Sequence, residues 1–384
     1  MILIRLIKGQ ISCVITKNKN IAIVSNFDDN YSKIFCSFLL SASYFFNKKF
    51  NYDIIVISSN ISDKNKRLLN SIVEDKVNIR LRYTNPQSYL NGIDKKIVHQ
   101  EYSEDLYYRV VIPYILSNYD KVLVVDADTI IKKDLSELFN IDISNYLCAA
   151  VKDTVMQGYL NGMVPDQFDY IKTVLNIDDP YDYFNSGVIL LNCSQIRKEY
   201  SLDKLREVLI KYIPIVRIYE QDILNLLFNK RVKFIEQRWN FFTRSNPFVS
   251  KCIDIAPLSS FLNYQKASLD PFIIHYAAQP KPWNNLQADF GDKFWEITRN
   301  SPYYEQLLLK DLSSKNLNKF LIKNYSPIFK YLVDFSLCME KLKYKRLSFL
   351  SKVTFGNKKK HYKNKKNISK QKIKEIKTIG ANLK

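Results

Sequence analysis

The chain has no CxxC pair. Its six cysteines (Cys13, Cys36, Cys148, Cys193, Cys252 and Cys338) are scattered singly, which argues against a thiol-ligated zinc site and for a reducing compartment. No stretch approaches the roughly 18 consecutive apolar residues of a membrane span. The first apolar stretch is broken by Arg5, Lys8 and Gln10, so it makes a poor secretory signal. Glycine is scarce at 8 residues and histidine scarcer at 3. No internal repeat or low-complexity linker interrupts the chain before residue 340. These absences predict a cytoplasmic protein.

What is present is ordinary in bulk and uneven in charge. At 384 residues and 46% hydrophobic content, the chain can bury one large core or two modest ones. Heavy use of Asn, Lys, Ile, Tyr and Phe fits an AT-rich genome better than a functional bias. The net charge is +20. Residues 340–384 hold 16 Lys/Arg against only Glu340 and Glu375, a local balance of +14, so the other 339 residues carry just +6. The basic tail is a separate object from a mildly basic core.

Apolar runs alternate with helical periodicity over the first 130 residues. Strands are expected at 20–25, 52–57, 77–81 and 122–125, with helices at about 31–46, after a Ser62 cap to Val73, and 103–116. Further strands are expected at 143–152, 184–192, 233–236 and 272–275, with a helix at 219–228. This alternation predicts a doubly wound, mostly parallel α/β sheet. Past about Phe290 the pattern becomes helical and aromatic, then basic. Beyond Gly356 it is almost wholly polar and predicts disorder in isolation.

The fourth of these strands, Val122-Leu123-Val124-Val125, closes on Asp126-Ala127-Asp128. Two carboxylates one residue apart emerge where a parallel sheet places its ligands, beyond the carboxyl ends of its strands. Hard oxygen ligands at that spacing suit Mg²⁺ or Mn²⁺ holding a diphosphate. Four other segments accompany them: Phe27-Asp28-Asp29-Asn30-Tyr31 after the first strand, Asn185-Ser186-Gly187, Glu220-Gln221-Asp222, and His275 through Trp283 with Lys281 inside it. Taken singly, each has a plainer reading. Asn185-Ser186-Gly187 could be a turn entering a strand, Glu220-Gln221-Asp222 an acidic first helical turn, His275 a core histidine and Arg109 a surface residue.

In this order the five segments resemble glycosyltransferase family 8, the retaining nucleotide-sugar transferases that include bacterial lipopolysaccharide galactosyl- and glucosyltransferases and glycogenin. The resemblance covers about residues 20–285 and implies a GT-A-type Rossmann-like domain. By it, Asp28, Asn30 and Tyr31 would contact the uracil and ribose of a UDP-hexose, and Arg109 its sugar or phosphates. Asp126, Ala127 and Asp128 would line the diphosphate, with Asp126, Asp128 and His275 binding Mn²⁺ or Mg²⁺ and Lys281 touching the phosphates. Asp153, Asn185, Glu220 and Gln221 would surround the transferred sugar, Gln221 orienting it or stabilising an oxocarbenium-like centre. Two positions depart from the pattern: Glu220 stands where Asp is usual, and Ala278 where Gly is usual.

The implied organisation is an N-terminal extension (1–19), a catalytic domain (20–285), a helical region (286–339) and a membrane-associating basic tail (340–384). The implied activity is transfer of galactose or glucose from a UDP-sugar to a saccharide or glycolipid acceptor, with lipopolysaccharide or lipooligosaccharide core expected, at the inner face of a bacterial cytoplasmic membrane. The segment 156–182 and the helices after Trp283 are expected to shape the acceptor site. A protein, capsule or storage glycan is the alternative acceptor. A haloacid dehalogenase-like phosphohydrolase also carries DxD after a strand, but it uses its first strand and wants Thr or Val two residues after the second Asp, where Ile130 stands here. A nucleic-acid-binding protein acting through the tail is the non-enzymatic rival. The core shows no nucleic-acid motif, so no nucleic-acid partner is expected.

Overall fold

The computed structural model describes residues 20–90, 93, 104–312, 315–354 and 356–381. The expected extension over 1–19 lies outside the described residues. Ten strands are present among them: β1 Asn20–Asn26, β2 Asn51–Ile57, β3 Ile79–Thr84, β4 Val122–Val125, β5 Thr129–Ile131, β6 Cys148–Lys152, β7 Phe184–Leu191, β8 Val232–Phe234, β9 Phe241–Phe242 and β10 Ile273–His275.

Seven of them form one sheet in the order β3-β2-β1-β4-β7-β6-β8. All run parallel except β7, which is antiparallel to both of its neighbours, β4 and β6. Helices cover the faces, so central strands read as unbroken apolar runs rather than alternating ones. Every residue of β4 and β7 is buried. A fully buried Val or Leu side chain contributes about 1.5–3 kcal/mol, so this sheet centre is rigid ground on which to mount a site. The Ser62 cap is as expected, its Oγ accepting from Asn65 N at 3.3 Å.

Some boundaries differ from the sequence expectation. The third strand begins at Ile79, leaving Val77 fully exposed. The sixth begins at Cys148, because Tyr146 N closes a turn on Ile143 O at 2.9 Å. The expected helix over 103–116 is a 3₁₀ turn, Glu104–Tyr107, followed by Tyr108–Ile115. A second, three-stranded sheet, β5-β10-β9, was not foreseen beyond its last strand.

One antiparallel strand has a large consequence for the site. Because β7 runs opposite to β4, its start lies beside the end of β4, and Val125 pairs with Val188. The end of β6, parallel to β4, reaches the same edge. Asp126, Asn185-Ser186-Gly187 and Asp153 are therefore brought together although they lie far apart in sequence.

A second compact unit comprises Trp283–Leu286 and Glu305–Lys384. Within it the helices Lys315–Val353 and Gly356–Ala381 lie along one another. The disorder expected past Gly356 is not what the structure shows. Gly356 adopts φ +59° at the turn, a conformation that suits glycine. The lysine-rich helix then folds back, and buried Ser369 donates to Glu340 Oε1 at 2.9 Å. Leu347 and Ser351 are buried with it, and the long lysine stems can cover apolar neighbours while their ammonium groups stay in water.

Candidate active site

Asp126 and Asp128 are fixed from two directions. Asp126 N donates to Gly187 O at 2.8 Å, and Tyr276 N donates to Asp128 O at 3.0 Å. The second bond belongs to the β5–β10 pairing, in which Thr129 faces His275. That pairing carries the imidazole to the acidic pair. His275 Nε2 lies 3.4 Å from Asp126 Oδ2 and 3.4 Å from Asp128 Oδ1. His275 and Asp128 are buried, whereas the Asp126 side chain is 28% exposed.

Three cationic groups balance these carboxylates. Arg109 Nη2 pairs with Asp126 and Lys281 Nζ with Asp128. Burial alone would raise both carboxyl groups, but Arg109 holds Asp126 and Lys281 holds Asp128 below the usual carboxylate range. Burial opposes charge on His275 as well, yet the two aspartates outweigh it and push the imidazole up to about 9.

The ligand atoms of Asp126, Asp128 and His275 all lie within 4.8 Å of one another. Two hard oxygens and one imidazole nitrogen suit a divalent cation of the Mg²⁺ or Mn²⁺ kind. Gly187 makes room for them: a Cβ there would sit 2.3 Å from His275 Cε1 and 2.8 Å from Asp126 Oδ2. The other imidazole nitrogen, Nδ1, is 2.9 Å from Asn240 Oδ1. The residues present fit a metal.

Beside this cluster is a cavity of about 240 Å³ lined by Asp153, Asn185, Gln221, Met156, Tyr159 and Ala278 among others. Asp153 is aimed by an irregularity in β6, whose register shifts between Ala150 and Lys152; bulges of this kind re-aim side chains next to active sites. Its Oδ1 caps the helix Thr154–Gly158, and its Oδ2 accepts from Asn185 Nδ2 at 3.0 Å and Gln221 Nε2 at 3.1 Å. Gln221 Oε1 accepts from Ser186 N at 2.9 Å. The amide of Gln221 is thus locked in one orientation.

Glu220 and Gln221 are aimed inward by backbone strain that Asp222 sustains. Tyr219 has φ +43°, which costs a non-glycine residue on the order of 1 kcal/mol. Asp222, fully buried, accepts from Arg217 N and Ile218 N at 2.8 Å each and from the Tyr170 and Tyr183 hydroxyls. The acidic triplet is therefore more than a capped helical turn.

Arg109 is 2% exposed, not a surface residue. Its guanidinium donates to Asn26 Oδ1, Ser186 O and Asp126, and lies 3.4 Å from Glu220. It turns toward protein groups that form the site floor. Asp28 caps the turn Asp29–Tyr31 at the same sheet edge, Asn30 is exposed there, and the Tyr31 phenol lies beside Lys281. Ala278 has no positive φ, so the methyl group imposes no backbone strain where glycine is usual.

Three supporting residues escaped sequence reasoning as site residues: Gly187 as a space-maker, Asn240 behind His275, and Asp222 as a backbone anchor. A lone amide inside the aromatic run Trp239-Asn240-Phe241-Phe242 was the available signal for Asn240.

Glu220 supplies a stability prediction. Burial pushes its carboxyl up to about 7, Arg109 opposing the shift and Asp126 adding to it. Between 4.5, its ordinary value, and about 7, the folded chain keeps a proton that the unfolded chain has lost. Stability should therefore fall as pH rises through this window, by up to about 3 kcal/mol. Glu220→Gln should lack that slope when urea midpoints are compared from pH 4.5 to 8. The same slope in both proteins would assign the titration elsewhere.

A mostly parallel sheet broken by one antiparallel strand, with an acidic pair and an imidazole at its carboxyl edge, is a GT-A-type fold. Residues 22–287 match the Glycosyl transferase family 8 model, and the chain belongs to that family. It is 24% identical to General stress protein A of Bacillus subtilis, covering 73% of this chain and 93% of that one. It is also 24% identical to lipopolysaccharide 1,2-glucosyltransferase of Escherichia coli K12, over 67% and 71% of the two chains. Among solved structures, WbbM bifunctional glycosyltransferase superposes with TM-score 0.70 at 29% identity over 79% of this chain. The galactosyltransferase LgtC, solved with donor and acceptor sugar analogues, gives 0.58 at 23% identity over 73% of this chain and 96% of its own, a likeness of fold. The chain spans only 54% of WbbM and 48% of a Haemophilus influenzae relative.

Proposed function

We propose that this chain transfers galactose or glucose from a UDP-sugar to a saccharide acceptor, with retention of anomeric configuration and with Mn²⁺ or Mg²⁺ held by Asp126, Asp128 and His275. The observation that carries this reading is one short strand segment. Gly187 abuts the metal-ligand cluster and Asn185, two residues earlier on the same strand face, lines the adjoining cavity. A diphosphate at the cluster would thus have its sugar in the cavity.

A cation at the cluster would neutralise charge developing on the diphosphate leaving group. Lys281 adds positive charge at the same place, where few waters compete. Asp153 and Asn185 offer hydrogen bonds to sugar hydroxyls. Gln221, an amide with no titratable proton, orients the sugar or faces the developing positive charge. Asp28, Asn30 and Tyr31 lie where the base and ribose would sit. The acceptor reading, lipopolysaccharide or lipooligosaccharide core, is supported by the E. coli relative's name; a protein, capsule or storage glycan is the alternative.

The test is hydrolysis of a panel of UDP- and GDP-sugars without acceptor, with Mn²⁺ and with chelator. Slow, Mn²⁺-dependent release of UDP from UDP-galactose or UDP-glucose is the expected result. Turnover of GDP-sugars alone would overturn the donor assignment.

We propose further that the basic tail attaches the chain to an anionic membrane surface, at the inner face of the cytoplasmic membrane. Exposed Leu342, Phe349 and Val353 recur at spacings of seven and four along one helix, among Lys341, Lys343, Lys345, Arg346 and Lys352. Such a stripe can lie in the headgroup region, each nearby cation adding about 1 kcal/mol. Deleting residues 340–384 should release the protein from anionic vesicles while sparing hydrolysis of free UDP-sugar. Undiminished co-sedimentation of the shortened chain would refute the attachment.

A further inference from the structure

A chain of hydrogen bonds runs from the cavity to the metal-ligand cluster, and its polarity is set at both ends. The Asp153 carboxylate, an acceptor only, takes a hydrogen bond from Asn185 Nδ2 at 3.0 Å. Asn185 must then present Oδ1 on its other side. There it accepts from Gly187 N at 2.9 Å, a backbone donor that cannot reverse, and from Asn240 Nδ2 at 2.8 Å. Asn240, with its amide nitrogen spent on Asn185, turns Oδ1 toward His275 Nδ1 at 2.9 Å. Asn240 and His275 are both buried, Asn240 completely. No rotation of either amide satisfies the chain in the opposite sense, since it would aim Asn185 Oδ1 at Asp153 and Asn185 Nδ2 at Gly187 N–H.

We infer that Asn240 is a positioning residue that fixes the His275 ring and holds its proton on Nδ1, so that a cation between Asp126 and Asp128 would displace the Nε2 proton and be met by that nitrogen. A ligating histidine needs its second nitrogen anchored to fix ring orientation and tautomer, and loss of such an anchor costs about 10–100-fold in metal affinity. Asn240 does this from the end of the 3₁₀ turn Gln237–Asn240 that precedes β9, and it ties the same anchor to the residues that line the cavity. The arrangement makes the metal ligand and the sugar pocket parts of one rigid network rather than two independently mobile sites.

This inference rests on the metal reading above, and its test separates the two. Mn²⁺ affinity is measured by calorimetry on the full chain and on Asn240→Leu and Asn240→Asp, with thermal unfolding as the check on folding. Asn240→Leu removes the acceptor at similar volume and should weaken Mn²⁺ binding by about 10–100-fold. Asn240→Asp keeps an oxygen for Nδ1–H but sets its other oxygen against Asn185 Oδ1, so it should recover part of that loss, which a purely structural role would not predict. Unchanged affinity in Asn240→Leu, or equal loss in both variants, overturns the inference and leaves the metal reading standing. No Mn²⁺ binding by the wild-type chain overturns both. The nitrogen-15 spectrum of the Mg²⁺-loaded wild type gives a readout that needs no variant. With only His99, His275 and His361 to resolve, His275 should show a bonded proton on Nδ1, and a proton on Nε2 instead would overturn the assignment.

Discussion

Asp128→Asn and His275→Ala should each lower glycosyl transfer by at least about a hundredfold, the scale on which removing one group that stabilises leaving-group charge is felt. Each change removes one of three groups whose ligand atoms lie within 4.8 Å of one another. Three ligands leave no redundancy, so chelator should have the same effect on the unaltered chain. Asn is the cleaner replacement at Asp128, because its amide oxygen still accepts a hydrogen bond from buried Lys281, whereas Ala leaves that ammonium with no acceptor there. Either change breaks a buried ion pair, which is destabilising by about 3–5 kcal/mol when nothing replaces the lost partner, so unfolding is followed alongside activity. His275→Ala opens a buried cavity and removes one of the three cations facing the two aspartates, so its unfolding midpoint should fall below that of the parent while the chain still folds. Transfer rates and Mn²⁺ affinity measured together check the prediction. Full transfer in chelator, or by either variant, would remove the metal from the reaction.

The catalytic edge was legible because its strands are sheltered on both faces. Val122–Val125 and Phe184–Leu191 read as strands for the reason that they are buried throughout, and the polar residues at their ends then stand out. Asp126, Asp128, Asn185, Gln221 and His275 all reach one region. What the sequence could not show was direction and partnership. Nothing in the apolar run of β7 marks it as antiparallel, yet that reversal brings Gly187 against Asp126. Strands β5 and β9, of three and two residues, are too short for any periodicity to register, although β5 positions His275. The partners of Asn240 are 35 and 55 residues distant along the chain, a separation that only tertiary packing closes. At the other end, lysine richness past Gly356 suggested disorder, since charge density was visible and the covering helix was not.

Gly187→Ala is expected to abolish cation binding and lower transfer by more than about a hundredfold, although it adds a single methyl group. The glycine is there for space. No positive φ is involved, and the whole effect comes from what the new Cβ would meet: His275 Cε1 at 2.3 Å, Asp126 Oδ2 at 2.8 Å and His275 Nδ1 at 2.9 Å. Contacts that short require movement, and neither neighbour is a free side-chain end. His275 is buried and held through Nδ1 by Asn240, while Asp126 is held by Arg109. The strand cannot retreat either, because Gly187 O accepts from Asp126 N at 2.8 Å and Gly187 N donates to Asn185 at 2.9 Å. Displacement must therefore fall on two of the three metal ligands. Overpacking of this kind costs about 1–3 kcal/mol of stability, so the protein should still fold, with a lowered unfolding midpoint and no measurable Mn²⁺ binding. Mn²⁺ affinity equal to the parent's would mean that the ring and carboxylate yield easily, and that the tight fit at Gly187 does not define the site.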